Sequence, residues 1–250
     1  MDVRHIRQED IDKVKWNSCV HYATNGNVYG YMWFLDNVAK EWDALVEGDY
    51  ESVFPLVWRE NFLKVRELYQ PPLIRELGVY SINVLSKARL NNFLQAIPEE
   101  YKLVNVTLNE QNPPLDNNGF EWHEQTNHQL LLDEPYEKIR EQYSDRLKEA
   151  LEATEDLGIK PASNPKPEVI ADFYQKYAKD RNGLTRNFHT LQRIMYNALH
   201  RGKGFATGVV DENDELCAVN FYIYSHHKVV SLVPVVSPKG RDVHAMPFLI

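Results

Sequence analysis

The chain has 250 residues, 43% of them hydrophobic, enough to bury a sizeable core as one large domain or two small ones. Its formal net charge of −8 and pI near 5.6 exclude bulk affinity for DNA or anionic membranes, while leaving local basic pockets open. The two cysteines, Cys19 and Cys217, give neither metal spacing nor a disulfide framework, and no apolar run approaches the ~20 residues of a membrane span. A cytoplasmic globular protein is expected, without metal and without membrane insertion.

In chain order, Arg4–His5–Ile6 reads as a short strand, and Asp10 or Asp12 caps a helix through Trp16 and Val20. Asn25–Gly26–Asn27 breaks that helix. Tyr29 to Val38 is a second, with Tyr31, Phe34, Leu35 and Val38 on one stripe. Trp42 to Val46, the turn Glu47–Gly48–Asp49 and Tyr50 to Trp58 make a hairpin. A strand from Val65 to Tyr69 runs into Gln70–Pro71–Pro72 and leaves its sheet there, since neither proline can donate to a ladder. Ser86 to Ile97 is helical, Lys102 to Leu108 alternates as a strand, and Asn112 to Gly119 is a loop. Thr126 to Leu132 is expected to be a strand returning to the first sheet. Asp133 then caps one long charged helix, Tyr136 to Leu157, stopped by Gly158.

After a Pro- and Asn-rich linker at 162–167, two helices follow, Glu168 to Lys179 and Thr190 to Leu199. Phe205 to Val210, Leu216 to Tyr224 and Val229 to Val236 form an antiparallel meander. Ser237–Pro238–Lys239–Gly240–Arg241 is expected to be a basic loop leading into a helix that starts between Arg241 and Ala245. Backbone N–H groups and the positive end of the helix dipole there form an anion-binding device. The apolar run to Ile250 reads as the opening turns of a buried helix, so the second half is expected to stop short. The order of elements predicts two mixed α/β units, 1–132 and 133–250, the second opening with a crossover helix at 133–158.

Several stretches carry a resemblance. Tyr143 to Ala150, then Phe173–Tyr174–Gln175–Lys176–Tyr177 with Arg181, Asn182 and Gly183, and the meander from Gly204 to Val236, resemble the GNAT-type acyltransferases. More narrowly they resemble the FemAB-like group, in which two GNAT-like units sit in tandem. Trp42 to Val46 and Tyr69 to Pro72 are similar to uncharacterised bacterial members of that group. The resemblance implies two mixed, mainly antiparallel sheets flanked by helices. It also implies N-acyl transfer from acetyl-CoA, another acyl-CoA or an aminoacyl-tRNA to a small-molecule or peptide amine such as a cell-wall precursor. The chain's net charge supplies no basic face for tRNA.

In active GNAT enzymes the loop reads Arg/Gln-x-x-Gly-x-Gly/Ala. Started at Arg241, that pattern puts His244 at the first glycine and Met246 at the small residue, so side chains stand where backbone should approach phosphate. Under the resemblance, Val235, Val236, Lys239, Gly240, Arg241 and His244 would hold the acyl donor, its pantetheine arm lying in a splay of strands near Val235. Tyr222 and Tyr224 share a strand face, and one would protonate the leaving thiolate; two strand aromatics equally suit sheet packing. Tyr69, Gln70 and Tyr80 are expected either to form a polar, aromatic rim for substrate or to be part of a rigid loop stop, and Arg181 either meets an acidic substrate or caps a helix C-terminus. His226 and His227 sit side by side on a turn, without the carboxylate or cysteine pattern of a metal site. The competing reading is a non-catalytic GNAT-like module for ligand binding or assembly, which the missing glycines favour.

Overall fold

The computed structural model describes residues 2–116, 119–154, 156–162, 164–178 and 188–250, which divide into two compact units. Unit 1 comprises 1–122 with the segment 224–229, and unit 2 comprises 123–223 with 230–250.

Local chemistry sets the start of unit 1. The Asp12 carboxylate accepts from the amides of Val14 and Lys15, both at 3.0 Å, and so begins α1 (Lys13–Tyr22) after β1 (Val3–Ile6). Asn27 interrupts the next helix. Its Oδ1 accepts from Tyr29 N at 3.0 Å, turning Val28–Gly30 into a 3-10 turn, so that α2 starts only at Met32 and runs to Val38. β2 (Glu41–Glu47) and β3 (Ser52–Glu60) form the expected hairpin. β4 (Arg66–Tyr69) pairs antiparallel with β3, and β5 (Tyr80–Ser81) pairs with the start of β3. α3 (Lys87–Gln95), capped by Ser86, returns the chain to β6 (Tyr101–Asn105), which lies parallel to β4. The sheet order is β1-β2-β3-β4-β6. Its core joins Leu45, Phe54, Leu56 and Leu68 to Leu90, Phe93 and Leu94 of α3, while Trp16 and Trp42 pack at 5.1 Å between ring centroids. Such an aromatic pair adds about 0.5–1.5 kcal/mol beyond its burial.

Unit 2 departs from expectation in four places. Residues 126–132 form no strand. Leu130, Leu131 and Leu132 are 57–73% exposed, and a strand needs a partner edge that this stretch does not find. The long charged helix is two helices, α4 (Tyr136–Glu141) and α5 (Asp145–Thr154), because the Ser144 hydroxyl accepts from Leu147 N and starts a new cap. β7 (Lys160–Pro161), α6 (Pro167–Tyr177) and α7 (Phe188–His200) precede the meander β8 (Gly204–Val210), β9 (Leu216–Ser225) and β10 (Lys228–Ser231). The third meander strand is broken at Leu232–Pro234, where Pro234 has no N–H to donate, and resumes as β11 (Val235–Val236). The order is β10-β9-β8-β7, with β11 also on β9.

The fourth departure is the basic loop. It is a helix, α8 (Pro238–Asp242), with Ser237 as N-cap and proline in its first turn. His244, at φ 53°, separates it from α9 (Ala245–Leu249). Among the described residues no helix is long and apolar enough to cross a membrane, and no cluster of three or more metal-ligating side chains occurs.

Candidate functional site

The residues expected to hold an acyl donor are largely engaged by their own unit. Lys239 pairs with the buried Asp211 carboxylate, which also accepts from the amides of Asn213 and Glu215 at 2.9 and 2.8 Å. The Lys239 bond, then those amides, hold the Asp211 carboxyl below the usual aspartate range. The amides of Gly240 and Arg241 are taken by Ser237, through its Oγ at 3.0 Å and its carbonyl at 3.1 Å. Gly240 itself is explained by packing, since a Cβ there would stand 2.1 Å from the Cys217 carbonyl oxygen of β9. Val235 and Val236 pair with Val219 and Ala218. Arg241 and His244 are exposed.

Tyr222 lies half-exposed on β9 with its ring stacked on Phe205 of β8 at 5.0 Å and 15°. Tyr224 is 41% exposed. Beside Tyr222 on the same strand face, Asn220 is fully buried, and its Nδ2 donates to Ser231 Oγ at 2.8 Å. An open groove of unit 2, about 410 Å³ between α4 and α5, is lined by Tyr136, Glu137, Arg140, Glu141, Lys148 and Glu152. This is a charged, solvated wall.

In unit 1 the predicted rim separates into two jobs. Gln70 ties the chain together: its Nε2 donates to Ile74 O and its Oε1 accepts from Thr107 N, both at 3.1 Å. The Tyr69 ring carries the Arg59 guanidinium at 4.5 Å, and burial pushes its hydroxyl above the ordinary tyrosine range, with Arg59 opposing. Tyr80 belongs to a polar cluster. Its buried hydroxyl donates to Asn27 Oδ1 at 2.9 Å, and Asn27 Nδ2 donates to Glu76 Oε1 at 3.1 Å. Burial raises the Glu76 carboxyl above the usual glutamate range, with Lys228 opposing and Glu110 adding to the rise. Lys228 Nζ in turn bonds Glu110 at 2.8 Å. Tyr29, 2% exposed, brings to this cluster a buried hydroxyl without a hydrogen-bond partner among the described residues, on which the charges of Arg75 and Glu76 act. Arg181 lies outside the described residues.

Asn27, Tyr29 and Glu76 were not singled out by sequence reasoning. Asn27 was legible only as a helix breaker, and Glu76 sits in a loop with no pattern around it. The Tyr80 hydroxyl and Asn27 meet across 53 positions of chain.

No family model matches the chain, and no curated protein matches it. Among solved structures, the crystal structure of FemX superposes with a TM-score of 0.64 at 13% identity, covering 99% of this chain and 83% of that one. The fold is FemX-like. Two sheets flanked by helices agree with the fold that the FemAB-like resemblance implied, and the FemX-like fold extends over both units. At this level of identity FemX fixes the fold of the chain. It does not assign the chemistry of individual side chains.

Proposed function

We propose that this protein is an N-acyltransferase that moves an acyl or aminoacyl group from an activated thioester or ester to an amine. The observation that carries the reading is Glu76, a half-buried carboxyl raised by burial and joined through Asn27 to the Tyr80 hydroxyl. An amine must be unprotonated to attack, and a carboxyl whose affinity for protons is raised is the better base at neutral pH. The amine nitrogen forms the new C–N bond as the donor's C–S or C–O bond breaks. The amine's proton passes to Glu76, and the leaving thiolate or alkoxide takes up a proton from solvent. The chain needs no nucleophile of its own, because positioning and oxyanion stabilisation supply most of the effect. The donor in this reading is an acyl-CoA or an aminoacyl-tRNA, the acceptor a small-molecule or peptide amine, and the compartment the cytoplasm. Two unpaired, buried cysteines support that compartment.

The test is formation of an amide, followed by mass spectrometry, when the protein is given acyl-CoAs or aminoacyl-tRNA with a panel of primary amines. Glu76→Gln should lower that rate about 10²–10⁴-fold, the usual weight of a general base. Transfer that is untouched by the substitution removes Glu76 from the reaction, and no transfer from either donor class overturns the reading. The engagement of Lys239 by Asp211 and the side chain of His244 at the glycine position favour the second reading, a non-catalytic ligand-binding module. That module would bind its ligand without turnover.

A further inference from the structure

Two facing positions of the unit 2 sheet hold polar atoms that nothing among the described residues satisfies. Thr207 on β8 and Asn220 on β9 are direct cross-strand partners in the ladder. Directly paired side chains on one face of an antiparallel sheet stand about 4.5–5.5 Å apart at Cβ. Thr207 Oγ1 and Asn220 Oδ1 are both buried and both lack a hydrogen-bond partner. Turning the Asn220 amide over would not cure this, because its Nδ2 already donates to Ser231 Oγ at 2.8 Å and the oxygen would only change places with it. On one side of this pair, toward the β8–β9 turn, the ladder continues with Val209 and Ala218, packed in the cluster that includes Ala245 of α9. On the other side stand Phe205 and Tyr222, stacked on each other and open to solvent on part of their surface. A buried polar pair thus lies between an apolar floor and an aromatic shelf.

Leaving two such groups unpaired is costly, since each forfeits the water it bonds in the unfolded chain. The pair is also chemically complementary. Thr207 offers a hydroxyl donor, and Asn220 offers a carbonyl acceptor that no N–H of the described residues reaches. A secondary amide satisfies both at once, its N–H donating to Asn220 Oδ1 and its C=O accepting from Thr207 Oγ1. An ester lacks the N–H, and a tertiary amide lacks it too.

We propose that Thr207 and Asn220, with the stacked Phe205–Tyr222 pair as shelf, form a binding site for a secondary-amide group of a ligand. The site goes beyond the acyl-transfer reading and does not depend on Glu76. Two kinds of ligand carry such an amide, a peptide and a pantetheine arm, and the hydrogen-bonding chemistry is common to them.

The experiment uses the full chain and nuclear magnetic resonance of the Asn220 side-chain amide. N-methylacetamide should shift that resonance in a saturable way. N,N-dimethylacetamide and methyl acetate should bind about tenfold more weakly, the loss of one neutral hydrogen bond. Thr207→Val should weaken N-methylacetamide by a similar factor without lowering the melting temperature of the ligand-free protein, because the hydroxyl makes no bond there. A Thr207 hydroxyl that served only the fold, through a trapped water, would instead lower that temperature on substitution. N-acetylalanine N-methylamide and pantetheine, titrated separately, then tell the two sources apart, and saturable binding of either supports the site. Equal shifts from N-methylacetamide and N,N-dimethylacetamide overturn it. So does a high-resolution structure with a water bonded to both atoms that N-methylacetamide at saturating concentration does not displace.

Discussion

Asp43 in unit 1 and Asn220 in unit 2 are both buried polar residues on central strands, and they are treated in opposite ways. The Asp43 carboxylate, 4% exposed, is surrounded by donors: Arg7 at 2.7 Å, Tyr101 hydroxyl at 2.6 Å, His5 at 3.3 Å and the Gln8 amide at 3.2 Å. Asn220, fully buried, is left with one atom unpaired. A buried charge without partners would push a chain to unfold or to neutralise it, so Asp43 reads as a strut of the sheet. A half-satisfied neutral amide is tolerable, and it is the sort of group a ligand completes. The same contrast holds within unit 1. Glu47, 4% exposed, is closed off by Arg89 and Ser52, whereas the Tyr29 hydroxyl is not closed off. Asp43 and Glu47 are thus closed parts of the architecture, whereas Asn220 and Tyr29 each keep a polar atom to which a ligand could bond.

The largest test of that contrast is Asp43→Ala. It should cost about 3 kcal/mol in chemical denaturation, the low end for removing one member of a buried ionic network. The low end applies because Arg7 keeps its bond to Glu100 and reaches solvent. A cost below about 1 kcal/mol, the size of one ordinary hydrogen bond, would dissolve the distinction between strut and site.

Next comes Gly240→Ala in unit 2, where the added methyl meets the Cys217 carbonyl and forces α8 away from β9. Overpacking of this kind costs about 1–3 kcal/mol. A neutral outcome would return Gly240 to the list of residues conserving space for a phosphate rather than for a strand.

Glu76 gives a test resolved by pH. Its folded-state pKa is raised, so the native protein holds that proton more tightly than the unfolded chain does. Between the unfolded and folded values, stability therefore falls as pH rises, and above the folded value the penalty is complete. Glu76→Gln should raise the melting temperature at pH 7 and have little effect below pH 4, where both states are protonated. Asp211 has the opposite sign. Its lowered pKa stabilises the fold at neutral pH, and that contribution is lost as pH falls through the folded value. Thermal melts of the two single variants across pH 3–8 should therefore diverge, Asp211→Asn losing stability at neutral pH where Glu76→Gln gains it.

The smallest effect is expected at the turn between β9 and β10. His226 and His227 both occupy the left-handed region, at φ 51° and 57°, as a two-residue type I′ turn requires. His226 is held there by Val20 O at 2.9 Å and Ser225 Oγ at 2.7 Å, whereas His227 is exposed. His227→Gly should stabilise by about 0.5–1 kcal/mol by removing the Cβ penalty. The same change at His226 should destabilise, because it deletes those bonds.

How much could be read in advance follows from distance along the chain. Asp12, Ser86, the Glu47–Gly48–Asp49 turn and the meander were legible because caps, turns and alternation are decided by neighbours a few residues apart. Ser237–Pro238 was equally local, a cap followed by proline at the first helical position, and its signal was outweighed by the two positive charges that made the stretch look like an anion loop. The mixed α/β architecture was legible from the order of elements. Four things depended on tertiary structure. The first was that residues 126–132 have no edge to join. The second was that Lys239 spends its charge on Asp211, 28 positions away. The third was that Tyr80, Asn27 and Glu76 converge, and the fourth that Thr207 and Asn220 face each other unpaired. A hydrogen-bond partner, or its absence, is a property of what packing brings within about 3 Å, and sequence periodicity carries no record of it.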